Sequence, residues 1–413
     1  MSSTTSAWRN VWGNRALAPL AISTTAAGLS FYVPVSALFL MDRGQSLSDI
    51  FIFESILVAT IMLTEIPAGL VADRIDRRFV IIAGFVLNAV AEILFASSGS
   101  FVGFAVSFAI SGAGIAMLTG VQEAYIYDSL GPDADRASVG VYGQLSSLDL
   151  IAGVGAAVVG GLLAEIDIGW PAVAAATAAV LAAAAACFLP SQLPEPEDAE
   201  QELESALTHL ATGIRVLFTT PILLYVAVAS SASFVLFNAV FTLNQPLFSQ
   251  AEIPVAVWGV IGGGAQLVAA LYNHHAGRIE HALGRKYALF VAMSFGVVGF
   301  ILMATPQAPL VILGFVLVVL GMNARGPITT AVANRVIPRG RRATVLNVAS
   351  SIGSLVGIAA NPVIGAGADA STTLTVVAIG GVLLVVAVTW ILVANRYLDE
   401  PSAEEESTPA TTV

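Results

Sequence analysis

The chain has 413 residues, of which 57% are hydrophobic and 11% are charged, and its formal net charge at pH 7 is -11. Because an average soluble domain has about 25% charged residues, this composition excludes a soluble globular protein and indicates that the bilayer is the solvent. Cys187 is the only cysteine, so disulfides and cysteine metal sites are excluded as well.

Apolar runs of about 20 residues, the length that crosses a ~30 Å hydrocarbon core, recur along nearly the whole chain. The first run is too long for a signal-peptide core, and no small-residue cleavage site stands out, so we expect this helix to be kept. The pattern predicts twelve transmembrane helices near residues 15–40, 47–72, 79–97, 101–127, 138–163, 169–189, 221–247, 254–276, 286–304, 308–333, 343–367 and 373–395.

A Pro-rich, acidic segment divides these helices into six and six. We predict a first bundle at 1–189, a cytoplasmic linker with an amphipathic stretch at 190–220, and a second bundle at 221–396. The acidic tail at 397–413 is expected to be disordered.

Basic residues set the orientation. If both termini are cytoplasmic, every Lys and Arg lies on that side except Arg43 and the intramembrane Arg325. This asymmetry follows the positive-inside rule and supports an even number of helices in a multi-pass protein of the plasma membrane.

The two bundles carry an internal duplication. The segment 69–78, GLVADRIDRR, is matched about 208 positions later by 277–286, GRIEHALGRK, and 135–148 is matched by 341–353 at an offset of 206. Two helical halves of one ancestry are typical of secondary transporters, which bind substrate between the repeats.

The segment that begins at Gly69 resembles the cytoplasmic loop signature of the major facilitator superfamily, and the strings 64–74 and 120–130 look like a loosely characterised, drug-efflux-like branch of it. This resemblance implies an all-α protein of two pseudo-symmetric six-helix bundles that works by alternating access. It also implies a cytoplasmic gate, in which Asp73 approaches the start of a helix in the other half and Arg77 pairs with Asp128. The predicted gate residues are Gly69, Asp73, Arg74, Arg77, Arg78, Asp128, Gly284, Arg285 and Lys286. The alternative is that these arginines only set the topology of the protein in the membrane.

Several positions depart from the family pattern. Asp76 replaces the turn glycine of the first loop, and His281 replaces the aspartate of the second. Phe108 stands where the proton-antiporter signature has an arginine, and Ala156 and Ala157 stand where exporters often have Gly-Pro. Coupling through that arginine is therefore unsupported, and the export signature is only half present.

Ionisable groups inside apolar spans are the strongest candidates for a site, because a charge at the bilayer centre costs about 2.5 to 3.5 kcal/mol on the mildest scale. Arg325 is the one cation there, opposed by five carboxylates: Glu54, Glu65, Glu92, Glu123 and Asp149. Glu54 and Glu65 are eleven residues apart and project from one helix face, although anchoring at the surface and in a broken turn explains them equally well. Glu92 is expected to lie outside the cavity.

Glu123 and Arg325 form the best predicted pair, since the duplication relates their helices and places them about one turn apart in depth. A permanent structural ion pair is the alternative to a functional one. Asp149, near mid-membrane, is the first candidate for a protonatable coupling residue. Tyr32, Asn238 and Gln245 are weaker candidates for lining the cavity.

We therefore expect a monomeric transporter that is not an enzyme, binds no cofactor, metal or nucleic acid, and couples a small-molecule substrate to protons or sodium. The preferred function is proton-coupled export of small lipophilic or cationic compounds. One alternative is uptake of a sugar or small organic acid, with Arg325 binding an anion. Another is a non-transporting receptor or scaffold, which the set Asp73, Arg77 and Asp128 argues against.

Overall fold

The computed structural model describes residues 11–193, 215, 217–336 and 342–397. Apart from three short 3-10 turns, all regular elements in these ranges are α-helices. The helices are α1 Leu17–Ala27, α2 Ser36–Asp42, α3 Leu47–Ala72, α4 Arg77–Ser97, α5 Phe101–Leu118, α6 Val121–Leu130, α7 Ala134–Ile166, α8 Trp170–Ala186, α9 Pro221–Asn238, α10 Val240–Gln250, α11 Trp258–Met303, α12 Ala308–Val336 and α13 Arg342–Tyr397.

Each predicted span falls mainly on helix in the described residues. The first span is broken at 28–32, and two of the long helices are interrupted as well. Gly284 breaks α11 at a φ of 73°, and Ser371 breaks α13. Nine helices in the described ranges are long and apolar enough to cross a membrane. The all-α membrane fold is thus confirmed, whereas the number of twelve crossings stays a prediction.

Local sequence explains where several helices begin. Ser46 and Asp49 form a reciprocal capping box at the start of α3, and Ser100 accepts a hydrogen bond from the Gly103 amide at the start of α5. Such side chains satisfy amides that the first helical turn leaves without partners. The alanine-rich α8 has mostly small side chains and packs closely against α1 and α4.

Packing divides the chain into two compact units. Unit 1 contains the described residues of Met1–His209, Phe241–Gly264 and Ser354–Thr372, and unit 2 contains those of Leu210–Val240, Ala265–Gly353 and Thr373–Val413. Two stretches of the second predicted bundle therefore pack with the first. Most of the linker and the tail after Tyr397 lie outside the described residues, so the predicted domain boundaries stay predictions.

Both units have apolar cores and apolar surfaces. Leu17, Phe85 and Tyr125 belong to the core of unit 1. Large apolar side chains also cover the outside, with Leu63 71% exposed and Leu374 70% exposed. Surface of this kind is stable against lipid but would aggregate in water, which agrees with a multi-pass membrane protein.

Candidate functional site

The first membrane span is broken in its middle. α1 ends at Ala27, the stretch 28–32 has no regular helix, and a 3-10 turn at Val33–Val35 leads into α2. Pro34 cannot donate a backbone hydrogen bond. Irregular backbone at membrane depth is tolerated where protein covers it or where it lines a polar cavity, and it is a recurrent feature of transporter binding sites.

Gln245, from α10, covers part of this break within unit 1. Its side-chain oxygen accepts a hydrogen bond from the Leu38 amide at 3.0 Å. Its nitrogen donates to the Val33 carbonyl at 3.3 Å and to the Ser36 hydroxyl at 3.2 Å. The side chain is only 1% exposed. Gln245, predicted from the sequence to line the cavity, therefore supplies hydrogen bonds to backbone groups that the broken helix cannot satisfy.

Asp149 lies beside the same break, near the middle of α7. A Cβ atom on Gly28 would collide with the Asp149 carboxylate, so the absence of a side chain at residue 28 makes room for it. The carboxylate is exposed and receives no hydrogen bond or salt bridge from any described residue. This site therefore has an ionisable carboxylate that is accessible from outside and lies next to irregular backbone.

Two other carboxylates in unit 1 are held by hydroxyl groups. The Tyr32 hydroxyl donates to Glu92 at 3.0 Å, and the Thr242 hydroxyl donates to Glu54 at 2.7 Å. Neither carboxylate has a salt-bridge partner among the described residues. Tyr32 thus contacts α4, while Glu54 ties α3 to α10.

The remaining predicted carboxylates are more open. The side chains of Glu65 and Glu123 are both exposed, and α3 continues as helix past Glu65 through Pro67. The Glu123 backbone carbonyl accepts a hydrogen bond from the Tyr142 hydroxyl at 2.9 Å. No described backbone amide holds Glu65, so the anchoring proposed for it from the sequence does not occur.

Arg325 is a buried cation of unit 2, with 6% of its surface exposed. Its Nη1 donates to the Ser230 carbonyl at 3.1 Å, and its guanidinium carbon lies 5.4 Å from the ring centre of Phe234. Nε has no hydrogen-bond partner in the described part of the chain. Glu123 belongs to the other unit, so the predicted ion pair stays a prediction.

Asn238, at the end of α9, donates to the Phe234 carbonyl.

The basic loop between α3 and α4 brings together two pairs of charges. Arg77 and Asp128 form an ion pair, and Arg78 Nε lies 3.1 Å from Asp76 Oδ2. Asp73 and Arg74 are exposed, with Asp73 as the C-terminal cap of α3. The structure therefore juxtaposes Arg77 and Asp128, and the contact predicted for Asp73 stays a prediction.

Asp76 joins the basic loop to the linker, a role that was not predicted from the sequence. Its φ of -55° needs no glycine. The carboxylate caps α4 by accepting from the Arg78 amide, and it also accepts from the Ser191 hydroxyl and the Gln192 amide. It thereby fastens the start of the linker to the loop. The preference for aspartate at the N-cap was the signal that could have found it.

Asp76 is expected to make stability depend on pH. Burial alone raises the pKa of Asp76, but the hydrogen bonds from Ser191, Gln192 and Arg78 together with the Arg78 charge outweigh it, so this pKa is lowered. A lowered pKa means that the stabilisation is present above the unfolded-state pKa and is lost as pH falls through the folded-state pKa. At pH 7, we expect Asp76→Ala to melt a few degrees below the wild-type protein.

The measurement is thermal unfolding of the purified protein between pH 7 and pH 3. The gap between Asp76→Ala and wild type should narrow as the pH falls. Asp73→Ala, in the same loop but exposed, should show little effect. A gap that stays constant down to pH 3 would contradict this account of Asp76.

The second copy of the basic loop turns at Gly284. Its φ of 73° lies in the left-handed region that favours glycine, which explains the residue and the break in α11. The Lys286 ammonium lies 4.9 Å from the ring centre of Tyr287. The side chain of Arg285 lies outside the described residues.

The sequence matches the major facilitator superfamily over residues 20–307. The chain belongs to this superfamily. Membership makes it a transporter and agrees with its all-α fold. The loop at 69–78 and the duplication were therefore correct indications of the family.

Among curated relatives, this superfamily member is similar to the quinolone resistance protein NorA of Staphylococcus aureus strain N315, with 25% identity over 239 residues. That match covers 56% of this chain and 59% of NorA, so the chain spans less than two thirds of the relative's length.

Solved structures share the fold. The nucleoside transporter NupG, in a point-mutant form, superposes with a TM-score of 0.76 at 15% identity and covers 92% of this chain and 99% of its own. A bacterial homologue of the human lysosomal transporter Spinster, in an inward-facing and unoccupied conformation, superposes with a TM-score of 0.70 at 16% identity, covering 95% and 97%. At these identities the likeness concerns the fold alone.

Proposed function

We propose that this transporter exports small lipophilic or cationic compounds in exchange for protons, by alternating access in the plasma membrane. The observation that carries the proposal is the Asp149 carboxylate, which lies beside the break in the first span and has no cation or hydrogen-bond donor among the described residues. The similarity to NorA supports export and makes quinolones the first compounds to test.

The chemistry of Asp149 suits an exchange mechanism. A carboxylate near mid-membrane is unfavourable as a bare anion, because the apolar environment solvates charge poorly. Binding a proton or a cationic substrate relieves that cost, and the two compete for the same oxygens. A site that releases one ligand when it takes up the other couples their movements in opposite directions.

Transport in liposomes tests this function. Purified protein is reconstituted, a pH gradient is imposed, and uptake into the lumen is measured for fluoroquinolones, lipophilic organic cations, sugars and small organic acids. We expect proton-driven accumulation of quinolones or organic cations that collapses when a protonophore is added. Accumulation that follows a sodium gradient instead would contradict proton coupling.

Uptake of an anionic compound is the second candidate, and Arg325 is the observation that favours it. This cation is buried in unit 2 with one donor atom, Nε, left without a partner in the described residues. A carboxylate on the substrate would satisfy that donor. Transport of organic acids, with no transport of organic cations, would favour this candidate over export.

We further propose that the Arg77–Asp128 ion pair stabilises one conformation of the transport cycle. The pair is partly exposed, so it contributes modestly and can open. Neutralising either residue should change transport severalfold, because a conformational equilibrium responds to about 1 to 3 kcal/mol.

A double-mutant cycle measures this coupling. Arg77→Gln and Asp128→Asn are each expected to lower transport, and the double variant to lose no more than either single one. Arg136→Gln removes an exposed positive charge that does not belong to the predicted gate, and it serves as the matched control. Additive losses in the double variant would mean that the two residues act independently.

A further inference from the structure

A glycine that has a proline shortly before it and an aspartate four residues after it occurs at two places, one near each end of α3. At the basic loop it is Gly69 to Asp73, in the sequence PAGLVAD. Near the break in α13 it is Gly365 to Asp369, in the sequence PVIGAGAD. Both copies have an alanine before the aspartate and a proline shortly before the glycine. The second copy is absent from the family signature recognised in the sequence.

Asp369 contacts the start of α3, which is the end opposite the basic loop. Its Oδ1 accepts a hydrogen bond from the Leu47 amide at 2.8 Å, and its Oδ2 accepts one from the Ser48 amide at 3.2 Å. These donors are 322 and 321 residues away in the chain. The capping box of α3 uses the Asp49 amide, so Asp369 fills the two amides that this helix cannot satisfy itself.

Close packing beneath this contact brings the two helices together in antiparallel fashion. A Cβ atom on Gly365 would lie only 2.7 Å from Ser48 Cα, so a side chain larger than hydrogen does not fit there. One to two turns deeper, the Ser55 hydroxyl donates to the Ile358 carbonyl at 3.3 Å. The contacts all belong to unit 1, and they join the second half of the sequence to the first.

The contact is suited to release. Asp369 is exposed and Ser48 is partly exposed, whereas Leu47 is buried. When the helices separate, water can hydrate both the carboxylate and the two amides, so no buried polar group is left without a partner. The favourable interaction of a carboxylate with a helix N-terminus is lost on separation.

We infer that Asp369 is a latch that holds the transporter closed at the face opposite the basic loop, and that it opens once in each transport cycle. The inference rests on the alternating-access part of the proposed function. It assigns a conformational role to a residue outside the recognised signature, at the end of α3 opposite the predicted gate residue Asp73.

Labelling of a buried cysteine tests the latch without any substrate. Cys187→Ser removes the natural thiol, and Ser55→Cys places a reporter under the contact, at a position that is 8% exposed. The rate of reaction with a bulky, hydrophilic maleimide is then measured on purified protein. We expect Asp369→Ala to raise the rate about tenfold, which corresponds to ~1.4 kcal/mol, and Asp369→Asn to raise it less.

Two further variants control for general effects. Gly365→Leu keeps the charge but blocks the close approach, and should also raise the rate. Glu165→Gln removes another acidic residue that follows a glycine, Gly161, by four positions. No described residue donates a hydrogen bond to the Glu165 carboxylate, so this variant should leave the labelling rate unchanged.

An unchanged rate in both Asp369 variants, or an equal rise in Glu165→Gln, would overturn the inference. If Asp369→Ala does not purify as a folded protein, the Asp369→Asn and Gly365→Leu rates decide the question in the same way. Because labelling needs no transported compound, the expected rates in a protein that exports none of the quinolones or organic cations would refute the proposed substrate class and leave the latch intact.

Discussion

Replacing Asp149 with asparagine is expected to abolish accumulation driven by a pH gradient. Asparagine keeps the size and the hydrogen-bonding oxygen of the side chain but cannot bind and release a proton. The carboxylate beside Gly28 has no described partner that would take over this role. Binding of a quinolone or organic cation should weaken but persist, because the apolar part of the ligand still contributes.

The experiment compares reconstituted Asp149→Asn with wild type in two assays: pH-driven accumulation and exchange of labelled for unlabelled substrate at equal pH. Glu165→Gln, at the end of the same helix, is the matched control and should transport normally. Undiminished pH-driven accumulation by Asp149→Asn would remove this residue from the coupling mechanism. Loss of both exchange and accumulation would indicate a defect in substrate binding and not in coupling.

The fold and one ion pair could be predicted from the sequence because their signals are local, repeated or part of a family signature. Hydropathy over about 20 residues reports a membrane helix directly, and the loop at 69–78 identified the family. Arg77 and Asp128 were expected together, and the structure forms that ion pair.

The partners of the buried polar groups were not predictable in this way. Glu54 is bonded by Thr242, which is 188 residues away, and Leu47 by Asp369, which is 322 residues away. Hydroxyl and backbone donors recur throughout the chain, so composition does not single them out. Only the packing of stretches 241–264 and 354–372 with unit 1 brings these atoms together.

Asp76 and Gly284 show why a departure from a family pattern needs a structure to interpret it. Aspartate replaces the expected glycine in the first loop, yet the residue has a negative φ and gains a capping role. The second loop keeps its glycine, and there φ is positive. Residues 76 and 284 are therefore equivalent positions in the two copies of the loop, but only residue 284 has a backbone conformation that favours glycine.

Replacing Arg325 with methionine is expected to leave the fold intact while lowering transport about tenfold or more, a loss of ~1.4 kcal/mol or more in the limiting step. Arg325 is buried, has an unpartnered Nε and donates to a single described carbonyl, that of Ser230. A buried charge of this kind contributes little to stability, and an apolar side chain of similar volume is often tolerated or even stabilising. The presence of this charge in an apolar helix therefore points to a role in transport.

Thermal unfolding and liposome transport of Arg325→Met, measured side by side, separate these effects. Arg325→Lys keeps the charge but loses the planar, multiply donating group, and should recover only part of the activity. If the predicted pair with Glu123 forms during the cycle, adding Glu123→Gln to Arg325→Met should restore some transport, since it removes the stranded carboxylate. A large drop in melting temperature for Arg325→Met would instead identify Arg325 as a structural residue, and additive losses in the double variant would rule out the pair.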